Sequence, residues 1–160
     1  MPSVATTASV RVAVPREPLF AWFIPVELPR ILGGYGPVPA VVATSDQSGP
    51  WDVPGSHRTV HLADGSTARE RVTACERPAA FGYTVDGFSG PVRHLAREAR
   101  GRWTFTPAGP AATDVSWTYA FEARSAAAAV LLAPAVKLAW RGFMRGALAR
   151  MATLAPADLA

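Results

Sequence analysis

With 160 residues, 49% hydrophobic and 18% charged, the chain is long enough for one domain with a substantial core and too apolar for disorder. Its net charge of +4 and pI near 10.0 come almost wholly from arginines scattered between Arg11 and Arg150, without the contiguous basic stripe that nucleic-acid binding requires. The single cysteine, Cys75, excludes an internal disulfide and any multi-cysteine metal site.

The N-terminus, Met1-Pro2-Ser3-Val4, has no basic segment followed by an apolar one, so no signal peptide is read. Val10, Val12 and Val14 then alternate with Ser9, Arg11 and Ala13, the period-two mark of a strand with one buried face, ended by Pro15. Two short helices are predicted over 17–23 and 26–32, each opened by a proline, and Gly33-Gly34-Tyr35-Gly36-Pro37 is a turn by composition. From residue 38 to 124 the chain reads as strands over 39–45, 56–62, 67–75, 81–86, 96–106 and 113–123. No helical period interrupts them, so hairpins and an antiparallel sheet are expected.

Ser125 is placed to cap a long helix reaching about residue 154, which Pro134 should bend rather than end. Val136, Trp140, Phe143, Ala147 and Met151 share one face of it, with Lys137, Arg141 and Arg145 on a neighbouring, solvated flank. The longest uncharged apolar stretch, 125–136, is too short for the ~20 residues of a membrane span. The expectation is a single cytoplasmic domain over 1–160, its core at about 8–154, with no membrane insertion. Whether it is a monomer or a homodimer is left open.

The hairpin at Ala63-Asp64-Gly65-Ser66 fixes which side chains face inward. A three-residue loop Asp64-Gly65-Ser66 would set Leu62 opposite Ala68, Val60 opposite Glu70 and Arg58 opposite Val72. Val60, Leu62, Ala68, Val72 and Ala74 then form an apolar face that also carries Arg58 and Glu70. Opposite charges on such a face call for pairing, either as a structural salt bridge or as groups that touch a ligand. Alternation further places Phe81, Tyr83 and Val85 inward, with Ala99, Gly101, Trp103 and Phe105, then Val115, Trp117, Tyr119 and Phe121. Small Ala99 and Gly101 opposite large rings are expected to leave room for a guest. Buried Tyr83 and Tyr119 hydroxyls need partners, which a ligand could supply.

His57 and His61 face outward and His94 lies in a connection near the expected cavity mouth, so the histidines form no metal set. No nucleophile elbow and no glycine-rich phosphate or dinucleotide loop occurs either, and no metal or cofactor is expected.

The order of elements, with Glu27-Leu28-Pro29-Arg30-Ile31, Gly34-Tyr35-Gly36-Pro37, Gly55-Ser56-His57-Arg58, Asp64-Gly65-Ser66, Arg69-Glu70-Arg71-Val72-Thr73 and Arg102-Trp103-Thr104-Phe105, resembles the START-like helix-grip superfamily (SRPBCC). The nearest likeness is to its polyketide cyclase/dehydrase-like branch. The resemblance implies an α+β helix-grip fold, a seven-stranded curved antiparallel sheet around a long C-terminal helix, with a cavity for a hydrophobic small molecule between them.

Two functions compete. In the first, a cofactor-free cyclase or dehydratase acts on a polyketide-like metabolite, with Glu70 as general base and Arg58 or Tyr83 stabilising an enolate. In the second, the same cavity carries a lipid or other apolar metabolite unchanged. Tyr35, Val60, Val72, Phe81, Phe88, His94, Trp103, Trp117, Tyr119, Trp140 and Met144 are the expected ligand contacts. A third reading, a partner-regulating domain, would need an exposed apolar patch, for which the sequence gives no sign.

Overall fold

A computed structural model describes residues 2–160 and contains the elements in the expected order. The strands are β1 (Ser3–Val12), β2 (Val41–Ser45), β3 (His57–Leu62), β4 (Thr67–Glu76), β5 (Ala80–Asp86), β6 (Ala96–Pro107) and β7 (Thr113–Ala123). Helix α1 (Arg16–Phe23) follows β1; α2 (Ala126–Pro134), a π-helical turn (Ala135–Trp140) and α3 (Arg141–Asp158) form one long C-terminal helix. All seven strands pair antiparallel in the order β1-β7-β6-β5-β4-β3-β2, the sheet of a helix-grip fold.

Strict alternation builds the centre of the sheet: β7 buries every odd-numbered side chain, among them Val115, Trp117, Tyr119 and Phe121. The helix predicted over 26–32 is only a 3₁₀ turn, Leu28–Arg30. Pro29 has no N–H to give back to the preceding turn, and Gly33-Gly34 ends the segment.

The β3–β4 register differs from the expected one by two residues: Arg58 pairs with Glu70 and Val60 with Ala68. Leu62 N–H donates to Ser66 O, so the loop is Ala63-Asp64-Gly65, and Gly65, at φ 86°, takes its last position rather than its middle. A left-handed residue is what a three-residue hairpin loop needs at its third position. Because the slip is even, every side chain keeps its expected face. A bulge between Val72 and Ala74 does change the parity, turning Ala74 to the outer face beside Gly82 and Cys75 toward the core.

Ser125 caps α2, its hydroxyl accepting from Ala128 N–H at 3.0 Å. Pro134 does not end the helix; the chain continues through the wider π turn into α3. Along this helix Val136, Phe143, Ala147, Leu148 and Met151 are buried, and α3 packs across β1, where Val4, Ala8 and Val12 face inward. By length and composition this helix could cross a membrane, although 28% of its most apolar stretch is buried in the fold. Contrary to the sequence reading, it exposes an apolar patch, Val130, Leu131 and Leu138.

Candidate functional site

The helix lies toward the β1–β7 side of the sheet, and between it and strands β3–β5 is a cavity of about 450 Å³. That volume suits a small organic molecule. One wall is aromatic, from Trp117, Tyr119 and Phe121 on β7 with Trp140 and Phe143 on the helix. The other is aliphatic, from Val60, Leu62, Ala68 and Val85 on the sheet with Leu28, Leu32, Val38 and Val41 from the segment before and into β2. The π turn supplies Ala135, Val136, Ala139 and Trp140, so the helix is locally widened where it meets the void. Exposed Pro37, Asp64, Pro91 and Ala135 are also in the lining and mark its mouth.

The polar groups of this wall are few. Glu70, on β4, receives Arg58 Nε at 2.9 Å, and the two side chains are 12% and 9% exposed. Burial pushes the Glu70 carboxyl above its ordinary value, opposed by the Arg58 charge and hydrogen bond. Arg58 itself lies behind Glu70 in a side space of about 40 Å³, its guanidinium 3.9 Å from the Trp51 ring centroid.

Tyr83, on β5, lines both spaces, and its hydroxyl accepts from Trp117 Nε1 at 3.1 Å, which leaves its own proton free to donate. Burial, then the nearby Glu70 charge, holds Tyr83 far above the normal phenol range. Tyr119 is raised too, by burial first and then by Tyr83 and Glu70, so both hydroxyls stay protonated. Trp140 has a buried indole N–H with no hydrogen-bond partner among the described residues.

Of the expected contacts, Val60, Phe88, Trp117, Tyr119 and Trp140 line the main cavity together with Glu70 and Tyr83. Phe81 and Trp103 line only the side space, where Phe23 packs against both rings at 5.7 and 4.7 Å between centroids. Val72 and Met144 are buried in the core outside the lining. Tyr35 is 53% exposed, its ring laid against Gly142 of α3, and His94 is exposed beside the mouth-forming Pro91 and Val92.

Gly101 leaves no room for a guest, contrary to expectation, because a Cβ there would overlap the Tyr83 ring. Sequence reasoning missed Phe143, although it shares the spacing of Val136 and Trp140, and the loop residues Val92 and Leu95, which no periodicity marks. Among the described residues no group of three or more His, Cys, Asp or Glu side chains is placed to hold a metal ion.

A curved antiparallel sheet closed over a largely apolar void by one long helix defines a helix-grip small-molecule-binding protein. The family model "Polyketide cyclase / dehydrase and lipid transport" matches residues 3–156, and the chain belongs to that family. No curated protein matches it in sequence. Among solved structures it is similar to a norcoclaurine synthase point mutant from Thalictrum in complex with a transition-state analogue (TM-score 0.73, 11% identity, covering 99% of this chain and 98% of that one). It is also similar to Ara h 8.0201 (0.71, 12%, 98% and 99%) and to a protein from Nitrosospira multiformis (0.69, 15%, 93% and 94%). At these identities the likeness is one of fold. Family and fold together support binding of a hydrophobic small molecule.

Proposed function

We propose that this protein takes up an apolar metabolite bearing a carbonyl group and acts on it by proton transfer, as a cofactor-free cyclase or dehydratase. The observation that carries the reading is Glu70: a buried carboxylate with a raised pKa at the wall of an apolar cavity, beside two tyrosines whose protons are held firmly. A carboxylate pushed up by desolvation is a stronger base than one in water, and a protonated phenol can donate to an oxygen that gains charge.

In this reading Glu70 removes a proton next to the carbonyl, and Tyr83 or Tyr119 donates to the developing enolate oxygen. Arg58, behind Glu70 and outside the main lining, is a positioning residue that holds the carboxylate in place. The walls fold a flexible substrate into a reactive shape.

A carrier without chemistry is the second reading, favoured by the predominance of aliphatic and aromatic groups around the void. Native mass spectrometry of the purified protein, followed by incubation of any co-purified molecule with wild type and Glu70→Gln, separates the two. The enzyme reading expects wild type to change the molecule and Glu70→Gln to bind it unchanged. Wild type returning it intact would leave the carrier. Either reading expects Ala139→Trp, which fills the void, to weaken binding of a fluorescent fatty-acid probe by about tenfold or more.

A further inference from the structure

The outer face of the C-terminal helix has a composition that the cavity does not explain. Val130, Leu131 and Leu138 are 74%, 65% and 74% exposed, and none of them lines the void. Isolated exposed leucines are ordinary, but these three lie with exposed Ala126, Ala127 and Pro134 along the first turns of one helix. The patch adjoins the cavity mouth through Ala135, which is exposed, lines the void and lies between Leu131 and Leu138 along the helix.

Along the helix beside the patch the charge is of one sign, with Asp64 the one acidic side chain in the rim of the mouth among the described residues. Lys137, Arg141 and Arg145 are exposed on the same helix, and no Asp or Glu occurs between Ala126 and Ala157. Elsewhere several surface cations are neutralised locally, Arg11 by Asp114, Arg30 by Asp158, Arg100 by Glu98 and Arg102 by Glu76, while exposed Arg69, Arg71, Arg93, Arg97 and Arg124 are scattered over the sheet and loops away from any exposed leucine cluster. The three helix cations have no acidic partner within reach of a salt bridge among the described residues. Exposed apolar side chains on a helix that is apolar all round, followed by unpaired cations one to two turns on, suit the boundary of an anionic bilayer, where apolar groups enter the acyl region and cations meet headgroups. A second copy of this chain is disfavoured as occupant, since a symmetric contact would bring these like charges together.

We propose that α2 and the π turn dock the mouth of the cavity onto an anionic lipid bilayer, lying on its surface. An apolar guest could then pass between the bilayer and the void with little exposure to water. Docking does not depend on whether Glu70 is catalytic, and it is measured without any ligand.

The test is cosedimentation of the full chain with sucrose-loaded vesicles of phosphatidylcholine containing about one-third phosphatidylglycerol, against vesicles of phosphatidylcholine alone. Wild type is expected to bind the anionic vesicles and to lose binding as salt is raised. Lys137→Glu with Arg141→Glu should weaken it about twentyfold or more, and Leu131→Ser with Leu138→Ser about tenfold. All four side chains lie outside the lining, so fatty-acid-probe binding and thermal midpoint should stay at wild-type values, which separates this proposal from the cavity reading. Equal pelleting with and without anionic lipid, or undiminished binding by both variants, would overturn it. So would a dimer in light scattering that the leucine variants dissociate while vesicle binding is absent, which would assign the face to a second copy.

Discussion

Replacing each member of the Arg58–Glu70 pair in turn should give unequal results. Arg58→Met leaves a carboxylate that is 12% exposed without its donor, and removing one partner of such a buried pair costs about 3 kcal/mol. Glu70→Gln keeps a neutral oxygen for Arg58 Nε, and the guanidinium still faces Trp51, so about 1 kcal/mol is expected. For a domain of this size the midpoint of thermal unfolding should fall by roughly 10 °C in the first variant and roughly 3 °C in the second. The pH dependence has a definite sign. The folded state holds the Glu70 proton more tightly than the unfolded chain, whose carboxyl titrates near 4.5, so stability falls as pH rises from there through the folded pKa. Asp64, Asp114 and Asp158 are shifted the other way, below their ordinary 3.8, and their contribution is lost only under more acid conditions. Urea unfolding of wild type and Glu70→Gln between pH 4.5 and about 8 should therefore show a downward component in wild type that the variant lacks. Equal losses in the two variants, or a wild-type curve that rises across this window relative to Glu70→Gln, would refute the claim that desolvation outweighs Arg58 at this carboxylate.

Gly101→Ala should destabilise the fold by about 2 kcal/mol, read as a drop of roughly 5 °C in thermal unfolding, because the added methyl displaces the Tyr83 ring and strains its bond from Trp117. Ser125→Ala removes the hydroxyl that accepts from Ala128 N–H, and about 1 kcal/mol should be lost in urea unfolding with probe affinity unchanged.

The parts of this fold legible in the sequence are those governed by local periodicity. Trp117, Tyr119 and Phe121 face inward because the alternation of β7 is unbroken over eleven residues. Arg58 and Glu70 were legible as inner-face neighbours even from a register wrong by two, since parity survives an even slip. Ala74 was misplaced because the bulge beside it leaves no mark in a run of Thr, Ala and Cys. Trp51 under Arg58, and Phe23 between Phe81 and Trp103, are contacts between distant segments that no local pattern encodes. The fillers of one part of the inner face were therefore invisible, and Phe81 and Trp103 looked free to touch a guest.

That division of the inner face explains why the void lies where it does. Phe20 and Phe23 of α1 reach over Phe81, Trp103 and Phe105, and the stacked pair Trp103 and Trp117, 4.4 Å between centroids, stands at the boundary of the filled region. On the other side the helix is held to β1 and β7, so it cannot also reach the short side chains Val60 and Ala68 on β3 and β4. No large ring comes from β3 or β4 to meet it, and the gap persists with Glu70 and Tyr83 at its edge. A void of this size in a core would ordinarily cost stability in proportion to its volume. Here the elements on either side are fixed through other contacts, α1 over the filled aromatic end of the inner face and α3 on β1, so the structure cannot collapse into it. The polar groups Glu70 and Tyr83 end up at the junction of filled and empty regions, and the rest of the void is walled almost wholly by hydrocarbon.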